Sequence, residues 1–212
     1  AVGQLALRLN TTASGHTAIG SCALYNNTTG SSNTAVGAVA MQNNTTGEYS
    51  IAMGRYALND NSTGCRNTAL GYAALLSNTT ASYNTAVGAC ALYSNTTGRN
   101  TAVGFMSMTA NSTGTQNTAS GMYSLCKNTT GCKNTTSGYM AMLNNTTGGW
   151  NTASGQESLK ANTTGNDNVA LGYGAGINNT SGCNNVFLGT NSCACTATLC
   201  NVVALGKGAV AT

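Results

Sequence analysis

The chain has 212 residues, of which only 6% are charged; it has a net charge of +4, 27 glycines, nine cysteines and no proline. The eight cationic residues (Arg8, Arg55, Arg66, Arg99, Lys127, Lys133, Lys160 and Lys207) share no common place in the pattern described below, which argues against a nucleic-acid partner. No apolar run approaches the eighteen or so residues that cross a bilayer, which argues against membrane insertion. Low charge with abundant Asn, Gly, Ser and Thr also suits a disordered segment, but small apolar residues recur here in phase, which disorder does not require.

The phase is set by glycine. Gly3, Gly20, Gly37, Gly54, Gly71, Gly88, Gly104, Gly121, Gly138, Gly155, Gly172, Gly189 and Gly206 follow one another at steps of 17 residues, with a single step of 16 between Gly88 and Gly104. The missing residue falls beside Arg99, which places a deletion-tolerant surface turn there. A short period sustained along the chain predicts a solenoid, in which each repeat contacts its neighbours and no central core exists. Nothing at the amino end reads as a signal peptide, and Ala1-Val2-Gly3 begins in mid-repeat, so the chain is read as a mature or partial segment.

Each coil is numbered from the Asn of its Asn-Thr-Ala-Val-Gly phrase, so that this Gly is position five. Position four runs Val2, Ile19, Val36, Met53, Leu70, Val87, Val103, turns to Ser120, Ser137 and Ser154, and returns to Leu171, Leu188 and Leu205. Position eight is Ala or Ser, and position nine is Leu or Met from Leu7 to Leu159. Two short segments per coil, each bounded by glycine, are too brief for helices and are expected to form short parallel strands. The predicted fold is an all-β parallel β-solenoid of about twelve 17-residue coils, on the order of 57 Å long at a strand spacing of about 4.8 Å. Ladders of like residues are expected, with Leu, Met, Ala and Val in a thin interior and Asn exchanging amide hydrogen bonds. The serines of position four are expected to mark the softest stretch. Residues 1–188 hold the regular repeats, and 189–212 form an atypical, Cys-rich end of the same solenoid.

Asn168-Val169-Ala170-Leu171-Gly172-Tyr173-Gly174-Ala175-Gly176 and Val202-Val203-Ala204-Leu205-Gly206-Lys207-Gly208-Ala209 resemble the head repeats of trimeric autotransporter adhesins, the YadA-like heads. They are also similar to the Asn-Thr-Ala-Val-Gly repeats of phage and algal-virus tail-fibre proteins. The resemblance implies a left-handed parallel β-roll, often trimeric, displayed outside a cell or on a virion as an adhesive or spacer shaft. The 17-residue coil is longer than the adhesin unit.

The second phrase of each coil, Asn-Thr-Thr-Gly, contains the N-glycosylation pattern Asn-x-Ser/Thr. Its in-phase asparagines, all at position twelve, are Asn10, Asn27, Asn44, Asn61, Asn78, Asn95, Asn111, Asn128, Asn145, Asn162 and Asn179; off-phase extras fall at Asn26, Asn43, Asn134, Asn144 and Asn178. In a glycosylating secretory pathway the row would carry covalent glycans. The alternative is that Asn-Thr recurs for stacking and turn reasons, as it does at position one in Asn33, Asn67, Asn84, Asn100, Asn117 and Asn151, where no sequon results. O-glycosylation of Thr has no readable motif. An ice-binding face is the weaker reading of the threonines, since they adjoin Asn and Gly in turns rather than alternating along one strand.

Cys183 and Cys200 occupy the same position of adjacent coils and form the best disulfide candidate. Cys193, Cys195 and Cys200 suggest a stapled terminal coil; a metal site is the sharper reading but has no clustered His beside it. No metal, cofactor or catalytic residue is assigned. His16 is the lone histidine, at position one where other coils place Asn, and Glu48, Glu157, Asp60 and Asp167 lie in separate coils, with too few aspartates for a calcium-binding repeat. Trp150 and the tyrosines are scattered and suit surface decoration more than a sugar platform. The chain is thus expected to be a non-enzymatic extracellular structural fibre protein that self-associates into a filament or trimer, with glycans as an optional coat. A virion or cell-surface adhesin or tail-fibre shaft is the alternative.

Overall fold

The computed structural model describes Ala1–Thr212 and contains no helix. It is an all-β parallel solenoid whose coils divide into two compact units, Ala1–Phe105 and Met106–Thr212. In the first unit β1 (Thr17–Ile19), β2 (Thr34–Val36), β3 (Ile51–Met53), β4 (Thr68–Leu70), β5 (Thr85–Val87) and β6 (Thr101–Val103) pair in that order, all parallel. The second unit contains β7 (Thr118–Ser120), β8 (Thr135–Ser137), β9 (Thr152–Ser154), β10 (Val169–Leu171), β11 (Val186–Leu188), β12 (Cys193–Ala194), β13 (Val203–Leu205) and β14 (Val210–Ala211). There β7 to β11 pair in sequence, β13 follows β11, and β12 pairs with β14. The register matches the repeat: Thr68 faces Thr85, Ala69 faces Ala86 and Leu70 faces Val87.

One regular three-residue strand forms per coil, where two were expected. Position two is always β-branched (Thr, Ile or Val), which favours the extended backbone. Position five ends the strand: Gly71 has φ +132°, and a Cβ there would stand 2.7 Å from the carbonyl carbon and oxygen of Gly88 in the next coil. The second phrase cannot extend, because positions seven and nine take left-handed backbone, as in Cys22 (φ 56°), Leu24 (52°), Tyr56 (62°) and Leu58 (51°). Its N–H groups still reach adjacent coils: Leu58 donates to Ala74 at 2.9 Å, and Tyr56 donates backwards to Ala38 at 3.2 Å. The deletion near Arg99 is absorbed at an exposed left-handed residue (φ 66°), and the ladder resumes at once with Asn100 N–H donating to Asn84 Oδ1 at 3.0 Å.

The interior is thin and half polar. Position three (Ala35, Ala52, Ala69, Ala86), position eight (Ala40, Ala57, Ala74, Ala91) and position nine (Met41, Leu58, Leu75, Leu92) are fully or almost fully buried. Position four is not interior. A three-residue strand turns its middle side chain inward and its outer two outward, so Ser120, Ser137 and Ser154 face solvent and do not weaken the core as the sequence suggested. The hydroxyls that do enter the interior of the second unit are Ser107, Ser124, Thr136, Ser158 and Ser192, with Ser124 and Thr136 oxygens 2.7 Å apart. No buried side-chain nitrogen or oxygen lacks a hydrogen-bond partner.

Candidate functional site

Position twelve, the proposed glycan row, is an interior spine. Asn27, Asn44, Asn61, Asn78, Asn95, Asn111, Asn128, Asn145 and Asn162 have no exposed surface, Asn179 is 2% exposed, and only Asn10 is partly open. In the first unit Asn44 Nδ2 donates to Asn27 Oδ1 at 2.7 Å and Asn61 Nδ2 to Asn44 Oδ1 at 2.7 Å. In the second unit Asn128 donates to Asn111 at 2.7 Å and Asn162 to Asn145 at 2.9 Å. The second amide proton goes to the carbonyl three residues on, as from Asn61 to Gly64 at 2.9 Å. Both protons of a primary amide are then spent, and a sugar on Nδ2 would displace the coil before. The row expected to face outward therefore faces the interior, where its asparagines form a stacking ladder.

The rest of the phrase has its own reasons. Position fifteen is Gly or Ala wherever position twelve is Asn, since a Cβ on Gly47 would meet Asn44 Oδ1 at 2.5 Å and Asn61 Nδ2 at 2.7 Å. Position thirteen donates its hydroxyl to the same position of the next coil, as from Thr45 to Ser62 and from Thr129 to Thr146, both at 3.0 Å. Position one forms a second buried row. Asn67 Nδ2 donates to Ala81 O at 2.8 Å, and its Oδ1 accepts the Asn84 N–H at 3.0 Å.

Of the off-phase sequons, Asn134 is buried, Asn26 and Asn144 are half-buried, and Asn43 and Asn178 are exposed. All but Asn134 occupy position eleven, which varies from coil to coil. That variability was the signal in the sequence that position eleven, not twelve, faces solvent.

His16 takes over the position-one task of Asn. Its Nδ1 accepts the Asn33 N–H at 3.3 Å, as Oδ1 does elsewhere, and its Nε2 stands 3.3 Å from Asn27 Nδ2. Burial holds its pKa below the ordinary value of 6.5.

All nine cysteines are free thiols. The structure brings Cys183 and Cys200 together: their Sγ atoms stand 2.7 Å apart, and the Cys183 N–H donates to Cys200 Sγ at 2.9 Å. The hydrogen bond to Cys200, then desolvation and the nearby charges of Cys200 and Asp167, push the Cys183 thiol up. Cys65 and Cys132 share this place in the coil, position sixteen, and also accept a backbone N–H from the coil before, Glu48 at 3.4 Å and Thr115 at 3.3 Å. Ser82 and Asn166 accept in the same way at position sixteen, so Cys takes an acceptor's place there, although Gly149 offers none. Cys193 lies in β12 and pairs with Val210. Burial also pushes the Cys126 thiol up, outweighing a Thr109 hydrogen bond and the Lys127 charge. No three His, Cys, Asp or Glu side chains gather as a metal site.

Two surface features escaped the sequence reading. Strand position two turns Thr outward, so that β7, β8 and β9 each expose a Thr and a Ser two residues apart; the threonines are not confined to turns. The aromatic residues also align more than their spacing suggested. Tyr49, Arg66 and Tyr83 occupy position seventeen of successive coils. Arg66 lies 5.5 Å from both ring centroids, and Tyr49 and Tyr83 are 56% and 54% exposed. Lys133 stands 4.9 Å from the Trp150 ring in the same column of the second unit. These side chains sit on left-handed backbone, from Tyr49 (φ 55°) to Tyr83 (φ 65°), a conformation bulky residues seldom adopt.

No family model, curated protein or solved structure matches the chain.

Proposed function

We propose that these coils are part of an extracellular structural fibre that grows by self-association. The observation that carries this reading is the self-complementarity of one coil with the next. The edge that donates through Asn61 Nδ2 repeats the edge of Asn44, and the acceptor it meets repeats in turn. Surfaces related in this head-to-tail way form open filaments when the rotation between them does not close. Such a protein needs little charge and no catalytic centre. Electron microscopy of the purified chain over a concentration series tests it: filaments that lengthen with concentration support the reading, and dispersed single particles at the highest concentration overturn it.

A second reading, a cell-surface or virion shaft that binds a receptor carbohydrate, is favoured by the Tyr49–Arg66–Tyr83 column. Exposed aromatic faces with a guanidinium held between them suit sugar rings bearing acidic groups. Binding to an acidic polysaccharide that is lost in Tyr49→Ala and Tyr83→Ala variants would support it. Equal binding by both variants would remove it.

A further inference from the structure

The coils have drifted enough to act as a control on one another. Position seventeen is Ser32, Tyr49, Arg66, Gln116 or Trp150 in different coils, so an outward side chain is free to change. Position fourteen does not change. It is Thr in every coil except one, where it is Ser181, although it is exposed almost throughout. The other constant positions have internal duties: glycines whose Cβ would strike the next coil, asparagines in buried rows, and position-thirteen hydroxyls bonded to the next carbonyl. At Thr63 and Thr164, position fourteen has a duty only in its backbone. The Thr63 carbonyl accepts from Cys65 Sγ at 3.4 Å, and the Thr164 carbonyl accepts from Asn166 Nδ2 at 3.1 Å. The side chains of Thr46, Thr63, Thr80, Thr130, Thr147 and Thr164 make no hydrogen bond within the protein.

The substitutions show which atom is held. Strand position two exchanges Thr for Ile51, Val169 and Val186, keeping the branched shape and discarding the hydroxyl. Position fourteen does the reverse at Ser181, keeping the hydroxyl and discarding the methyl. An exposed hydroxyl, unspent at Thr46, Thr63, Thr80, Thr130, Thr147 and Thr164, is what the repeat maintains there. The row is one residue wide, because position thirteen spends its hydroxyl internally and position fifteen is almost always Gly, so it lacks the second rank that a flat water-ordering surface needs.

We propose that the position-fourteen hydroxyls are acceptors for O-linked sugar. In the reaction a transferase base removes the proton from Thr Oγ1, and the oxygen attacks the anomeric carbon of a nucleotide-activated sugar. The new glycosidic C–O bond forms as the bond from that carbon to the diphosphate oxygen breaks. The nucleoside diphosphate leaves with the electron pair, and the proton passes through the base to solvent. The fold presents the acceptors in single file about 4.8 Å apart, one per coil, beside the buried sequons that cannot be used. The proposal does not rest on the fibre reading: dispersed particles carrying this sugar would overturn the fibre and leave the acceptor row standing.

The tryptic fragment Tyr56–Arg66 gives a clean test, because Thr63 is its only threonine and it also holds the sequon at Asn61. From chain isolated from the cells that make it, the fragment is expected to carry a whole-sugar mass increment that resists N-glycan release and is lost on alkaline β-elimination. Fragmentation should place that increment on Thr63. An unmodified fragment, or an increment on Ser62 or Asn61, would overturn the proposal. Thr63→Ser made in the same cells should keep the increment and Thr63→Val should lose it, with unchanged circular dichroism in both. A Thr63→Val chain that unfolds would make the hydroxyl structural and the proposal wrong.

Discussion

Asn43 and Asn44 are neighbours in the chain and face opposite environments. Asn43 is on the surface, its amide 3.3 Å from Asp60; Asn44 has no exposed area and is held by Asn27 Oδ1, the Gly47 carbonyl and Asn61 Nδ2. The rows they stand for differ in the same way: from residue 26 to 179, position eleven drifts among Asn, Asp, Ser, Ala and Lys, while position twelve stays Asn. In a stacked coil the interior residue is constrained from above and below at once, and the outer one by nothing comparable. Constancy therefore marks the interior, and position fourteen is conspicuous because it is constant and outside.

Substitutions that cross this boundary should differ sharply in cost. The largest effect is expected from Gly71→Ala, which sets a Cβ against the Gly88 carbonyl on left-handed backbone and should cost about 4 kcal/mol in denaturant unfolding. Asn61→Ala comes next. It strands Asn44 Oδ1 and the Gly64 carbonyl in a dry interior, with an expected loss of about 3 kcal/mol, whereas Asn43→Ala should stay within about 0.5 kcal/mol of wild type.

A smaller effect is expected from pH. The His16 pKa is lowered in the fold, so its contribution is fully present above 6.5 and falls as pH drops from there towards the folded value. Thermal unfolding followed at pH 7 and pH 5 should show a modest loss in the wild type. His16→Asn, which restores the amide of the other coils, should remove that pH dependence. The smallest effect is expected from Thr63→Val in unmodified protein, whose stability should match wild type within about 0.5 kcal/mol, because the hydroxyl it removes has no partner.

Much of the fold was legible in the sequence. The glycine phase gave the coil length, the parallel stacking and the corner that absorbs the deletion at Arg99; Ala and Leu or Met at positions eight and nine identified the core. The sense of position four was not legible, because Val, Leu and Met there read as interior while the geometry of a three-residue strand turns both its ends outward. Nor was the absence of a second regular strand, since Leu and Met at φ near 50° contradict their ordinary preferences and are held there by packing between coils. The inward sense of position twelve was not legible for a related reason: Asn-x-Thr describes chemistry that needs exposure, and the repetition that made the motif prominent is what buries it. The Tyr49–Arg66–Tyr83 column was in phase all along, but it becomes visible only when residues are read down the stack rather than along the chain.

The central claim is that identical asparagines stack in a dry interior ladder, and side-chain amide hydrogen exchange tests it most directly. With Asn43 and Asn44 assigned by NMR, the account predicts that the Asn44 Nδ2 protons persist in deuterated solvent long after those of Asn43 have exchanged. Loss of both at the same solvent-limited rate would contradict it.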